Sequence, residues 1–257
     1  MRRSLTTILV ALAALAIGAG TALAGTVVGT DGPEALTGTV QPDQLYGEGG
    51  DDMLDGLAGD DYLEAGGGGD TVRGAEGADL VIGGTGNDSV DAGPADDVVY
   101  AGAGEDTVLG GAGRDTLFGQ AGTDQLFGGA GADVLYASAG GDLADGGSGA
   151  DRLTSEEGDS TLIGARGKDV ITAAGGNVTV KGGAGSDRIR TGEGQDDVSG
   201  GGGADGIATG AGDDRVNSRD GRRDRVDCGA GQDTVRADRA DILRGCETVV
   251  DGRSSIG

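Results

Sequence analysis

From Gly29 to Asn217 an aliphatic residue returns every nine positions. Set in frames of nine, this segment makes 21 units with no insertion. Position eight is Leu, Val or Ile in 20 of the 21, Ala144 being the exception. One unit reads Gly128-Gly129-Ala130-Gly131-Ala132-Asp133-Val134-Leu135-Tyr136. Its last three positions predict a short strand. Side chains alternate along a strand, so position eight points inward while positions seven and nine point out. The first six positions predict a turn, because glycine at position four, present in 19 of 21 units, permits the positive φ that tight turns need. A period held this long separates the chain from a disordered polar segment, which has no reason to keep a register.

Composition sharpens this. The chain has 257 residues, 59 glycines, six Tyr and Phe together, no Trp and no His. Glycine gives up more backbone entropy on folding than other residues, so a conventional packed core is not expected. The formal net charge is −25, which repels nucleic acid and anionic membranes and attracts cations. Without His, the commonest general base and the commonest transition-metal ligand are missing. At the start, Arg2 and Arg3 precede an apolar run from Leu5 to Ala24 that ends Ala22-Leu23-Ala24. This predicts a cleaved signal peptide over residues 1–24, an extracellular product and no membrane span after cleavage.

The acidic residues are not scattered. Position six is Asp in 18 of the 21 units, with Glu34, Ser160 and Val178 as exceptions. The glycine-glycine-x-glycine-x-aspartate pattern of the unit quoted above resembles the haemolysin-type calcium-binding nonapeptide of RTX proteins. The resemblance covers nearly all of the chain beyond the leader. It implies an all-β fold, a right-handed parallel β-roll (a β-solenoid) over residues 25–217, with two units to each coil. About ten coils stacked about 4.8 Å apart would make a rod about 50 Å long. Degenerate repeats and a cap are expected over residues 218–257.

In such a stack the position-six carboxylates of units 18 residues apart become neighbours. Two unit charges about 4.8 Å apart repel by about 3.5 kcal/mol at an effective dielectric of about 20. Paired carboxylates with turn carbonyls suit Ca²⁺, which takes six to eight oxygens in loose geometry. The expected metal ligands on one face are Asp43, Asp61, Asp79, Asp97, Asp115, Asp133, Asp151, Asp169, Asp187 and Asp205. On the other they are Asp52, Asp70, Asp88, Asp106, Asp124, Asp142, Asp196 and Asp214. All three exceptions fall on this second face, which predicts a calcium-free or weak stretch between Asp142 and Asp196. Folding is expected to require calcium, since the aliphatic core is thin and glycine opposes order. Ala95, in a position-four place, leaves the turn before Asp97 open to distortion.

Outward position nine carries Tyr46, Ile82, Tyr100, Phe118 and Tyr136 on the first face and Phe127 on the second. These are read as a cross-strand ladder that stiffens the stack, with a partner-binding stripe as the alternative. After Asn217 the frame slips by one residue, and Asp224 and Asp233 resume the theme. The segment Arg219 to Arg225 holds four arginines and reads as an end cap or as a contact for anionic cell-envelope polymer. Cys228 and Cys246, the only cysteines of an exported chain, are expected to form a disulfide. The function that results is a secreted, non-catalytic calcium-binding repeat protein whose folding is coupled to binding of many Ca²⁺ ions. An adhesive or structural surface rod with a protein or polymer partner, or an accessory module of a secreted hydrolase, are the alternatives.

Overall fold

A computed structural model describes residues 24–251. The expected leader lies outside the described residues except for Ala24, as does the last stretch of the tail. Among the described residues there are 27 strands and no helix. Every strand pairing is parallel, and the strands fall alternately into a 13-stranded and a 14-stranded sheet. The register advances by one coil of 18 residues: Thr116 pairs with Val98 on one side and Val134 on the other. Two nine-residue units therefore complete one coil, one unit in each sheet.

Position eight lines the interior. Leu117, Leu135, Leu153, Ile171 and Ile189 from the first sheet face Val108, Leu126, Leu162, Val180 and Val198 from the second, all fully buried. The inward face is wider than the sequence pattern suggested, because positions six and one alternate inward as well: Asp115, Leu117 and Gly119 are buried in turn, while Thr116 and Phe118 between them are half-exposed. Each strand thus gives the core at most one large aliphatic side chain, and the core is bordered on each side by aspartate. The reversals between sheets rest on positive φ at positions two and four, as at Gly129 (103°) and Gly131 (153°). Ala95 adopts the same region at φ 93°, and Asp97 keeps the contacts of its counterparts.

The roll continues beyond the uniform repeat. After the one-residue slip Gly206 pairs with Arg225 and Arg215 with Thr234, a register of 19. The coil then shortens, with Arg225 opposite Ile242 and Thr234 opposite Thr248. Cys228 and Cys246 are disulfide-bonded across this last coil, their Cα atoms 5.2 Å apart. On the outer face of the first sheet, Tyr100, Phe118 and Tyr136 form a stacked column with centroids 4.7 Å apart and planes within 5°. That distance is the spacing of neighbouring strands, so the sheet itself sets the stack. Tyr46 belongs to a separate pair with Tyr62, at 5.5 Å, because Glu64 and Ile82 separate it from Tyr100 in the column.

Candidate metal centre

Each position-six aspartate enters the interior at the point where a strand begins. Its backbone carbonyl joins the sheet, as in Thr116 N–H to Asp97 O at 2.8 Å. Its side chain reaches one coil back. The N–H of Asp97 donates to Asp115 Oδ1 at 3.0 Å, and the N–H of Asp115 donates to Asp133 Oδ1 at 3.0 Å. The same bond joins Asp43 to Asp61, Asp61 to Asp79, and so on along both sheets, at 2.7 to 3.0 Å. All 18 expected aspartates are buried in these two rows.

The second oxygen is the unusual one. Oδ2 of Asp52, Asp61, Asp70, Asp79, Asp88, Asp97, Asp106, Asp115, Asp124, Asp133, Asp142, Asp151, Asp169, Asp187, Asp196, Asp205 and Asp214 is buried and has no hydrogen-bond partner. Asp43 differs, its Oδ2 accepting from Thr39 N–H at 2.5 Å. At Asp115 the free oxygen points across the mouth of its own turn. A Cβ built on Gly110 would stand 2.7 Å from Asp115 Oδ2 and 2.7 Å from the carbonyl oxygen of Gly128. Anionic and carbonyl oxygens therefore crowd one buried space with no donor between them. That donor set fits a hard, oxygen-seeking cation. Among the described residues no three Asp, Glu, His or Cys side chains converge, so an ion held here would draw on backbone carbonyls beside one or two carboxylates.

Burial makes this arrangement costly without a cation. Desolvation raises the carboxyls of Asp88 and Asp97 to about 7, and those of Asp61, Asp79, Asp115, Asp124 and Asp151 to about 6. The N–H bond from the coil before pulls each of them back down, and neighbouring carboxylates such as Asp70 and Asp106 beside Asp88 add to the rise. Burial thus outranks the rung-to-rung repulsion emphasised by the sequence pattern.

The rows have breaks and ends. On the second sheet Ser160 and Val178 occupy carboxylate places. Asp142 N–H meets only Ser160 Oγ at 3.4 Å, while Ser160 Oγ accepts from Ser155 Oγ at 3.1 Å and donates to the Gly140 carbonyl at 3.2 Å. The Glu34 carboxylate folds back onto Thr30 of its own turn and closes the first coil. At the other end Asp224 and Asp233 extend the rows: the N–H groups of Asp205 and Asp214 donate to them at 2.8 and 2.9 Å, and their own Oδ2 atoms are buried without partners. Neither is among the 18 ligands expected from the uniform frame; the resumption of Asp-x-Val after the slip is the signal for both. Asp241 and Glu247 then accept the N–H groups of Asp224 and Asp233, each at 3.0 Å, and end the rows.

A second ladder runs along the outside at position five. Here the side chain reaches forward one coil: Asp51 accepts from Gly69 N–H, Asp60 from Ala78, Asn87 from Glu105, Asp96 from Arg114 and Asp159 from Asn177, at 2.8 to 3.0 Å. Backbone amides in the turn are so tied in both directions along the rod.

No curated protein matches the chain. The family model for the RTX calcium-binding nonapeptide repeat does match, in seven segments that together span residues 28–207. Those residues hold both rows of inward aspartates up to Asp205. By repeat, by fold and by the oxygens gathered in its turns, the chain is a calcium-binding repeat protein and belongs to the RTX nonapeptide family.

Proposed function

We propose that this is a secreted, non-catalytic protein whose roll forms as it binds calcium, with the position-six aspartates, Asp224 and Asp233 as the side-chain ligands. The observation that carries this is the row of buried Oδ2 atoms without partners. A buried, unpaired carboxylate costs several kcal/mol unless it is neutralised. Seventeen such oxygens in the uniform repeat alone cannot be held by a core to which each strand gives at most one large aliphatic side chain. Bound Ca²⁺ supplies the missing positive charge and accepts the carboxylate and carbonyl oxygens together. The chain's own part is to hold one oxygen of each aspartate on a backbone N–H, leaving the other free. Ion binding and folding are then one equilibrium.

Export is supported by the leader-like start and by the disulfide. No helix among the described residues is long and apolar enough to cross a membrane. On the second sheet we place no ion between Asp142 and Asp196, where hydroxyl and methyl groups replace the carboxylates. Circular dichroism and small-angle scattering during a calcium titration, with magnesium as control, test the coupling. The expected outcome is a gain of β signal together with compaction, in calcium only. A chain equally ordered in excess chelator at neutral pH would refute it.

A further inference from the structure

The C-terminal part of the first sheet carries a basic trough on its outer face. Arg188 and Arg190 project outward from one strand, Arg188–Arg190. In the next strand, Gly206–Ala208, the two places opposite them hold Gly206 and Ala208. The strand beyond, Arg225–Asp227, restores Arg225, and Ile242–Arg244 adds Arg244. The short rung leaves a depression of about 590 Å³ with Arg188 and Arg190 on one wall and Arg225, beside Asp227, on the other. Backbone geometry does not demand glycine there. Gly206 has no positive φ, and an added Cβ would meet nothing nearer than Asp187 O at 4.0 Å.

The arginines are also uncommitted. Arg244 pairs loosely with Asp227 at 3.8 Å; Arg188, Arg190 and Arg225 have no carboxylate within 4.0 Å among the described residues. This contrasts with the rest of the rod. Residues 25–150 contain two basic and 24 acidic residues, whereas residues 151–257 contain 15 basic and 20 acidic. Eight of those 20 acids are inward aspartates. The trough walls stand two strand spacings apart, about 9.6 Å, and the arginines at positions seven and nine of one strand are about 6.7 Å apart. Planar guanidinium forks at such intervals match successive oxyanions along one extended chain.

We propose that this trough binds a linear anionic glycan-type polymer, its phosphodiester or carboxylate groups held by Arg188, Arg190 and Arg225. No aromatic ring lines the depression to stack a base, which makes nucleic acid the poorer fit.

The test uses the full chain saturated with calcium and three immobilised probes: poly(glycerol phosphate), hyaluronate and neutral dextran. Binding to one or both anionic probes, absent on dextran and weakening as salt is raised, is expected; which probe binds tells phosphate from carboxylate. The combined variant Arg188→Gln, Arg190→Gln, Arg225→Gln should bind about tenfold more weakly or worse. Gly206→Tyr, which fills the trough and keeps every charge, should also weaken binding. Circular dichroism on each variant keeps a lost trough apart from a lost roll. Binding unchanged in both variants, retention no greater on the anionic probes than on dextran, or tighter binding of a single-stranded oligonucleotide than of either polymer would overturn the proposal.

Discussion

At Asp115 one carboxylate oxygen completes a backbone hydrogen bond and the other has no partner. The two oxygens can be separated by chemistry. In Asp115→Asn the side-chain carbonyl still accepts the Asp97 N–H, while the negative charge is gone and an amide N–H₂ faces the carbonyl of Gly128. Without calcium this variant should be more stable than the parent, because an unpaired buried charge has been removed. With calcium it should be less stable, because a ligand has been lost. Thermal midpoints in chelator and in calcium check this; a shift of the same sign in both would show that the charge is not what binds the ion. Asp88 and Asp97, whose carboxyls burial raises to about 7, should show the same reversal.

At the scale of strands and turns, the break in the second row offers a gain-of-function test. Ser160→Asp with Val178→Asp would rebuild the row between Asp142 and Asp196. The neighbouring position-one residues, Ser155 and Ala173, are small, and alanine already sits at that place beside Asp70, Asp97, Asp106 and Asp142. The double variant should hold more calcium per chain by metal analysis of the calcium-saturated protein, and an unchanged count would show that the break is not a missing site. Much of this level was legible in the sequence. The nine-residue frame located the start of most strands, although several run on into position four of the next unit where a turn was expected, and it located the inward aliphatic at position eight, both rows of aspartates and the break itself. Other features were hidden for physical reasons. The position-six side chain turned out to be interior rather than part of an open turn, because strand alternation runs on through the glycines. The outer ladder of Asp51, Asp60, Asn87 and Asp96 mixes residue types, so no single letter marks it. Tyr62 pairs with Tyr46 from position seven, and only the strand register brings positions seven and nine of adjacent rungs together.

At the scale of the whole molecule, the inward aspartates act as one proton-sensitive set. Burial lifts the carboxyls of Asp61, Asp79, Asp115, Asp124 and Asp151 from the ordinary aspartate range to about 6, and those of Asp88 and Asp97 to about 7. A group whose value rises on folding gives stability that is complete below its unfolded value and is lost as pH climbs through the folded one. The calcium-free chain should therefore be most ordered near pH 4 and lose β signal as pH rises towards about 7, the reverse of a protein held together by ionised carboxylates. Far-UV circular dichroism of calcium-free protein across that range measures it, and a signal that grows with pH would contradict the burial argument.

The inner row also has a direction. Each aspartate supports the coil before it, so every coil leans on the one that follows, and the sequence of supports stops at Asp241, Glu247 and the Cys228–Cys246 bond. The last coil is thus the keystone of the rod. A closed loop of 18 residues is worth about 3 kcal/mol in the chain-entropy model, and it falls at the last coil among the described residues. Winding that starts from this anchored end would travel towards the amino terminus, opposite to the order in which the chain is made, so the first coils synthesised would be the last to lock.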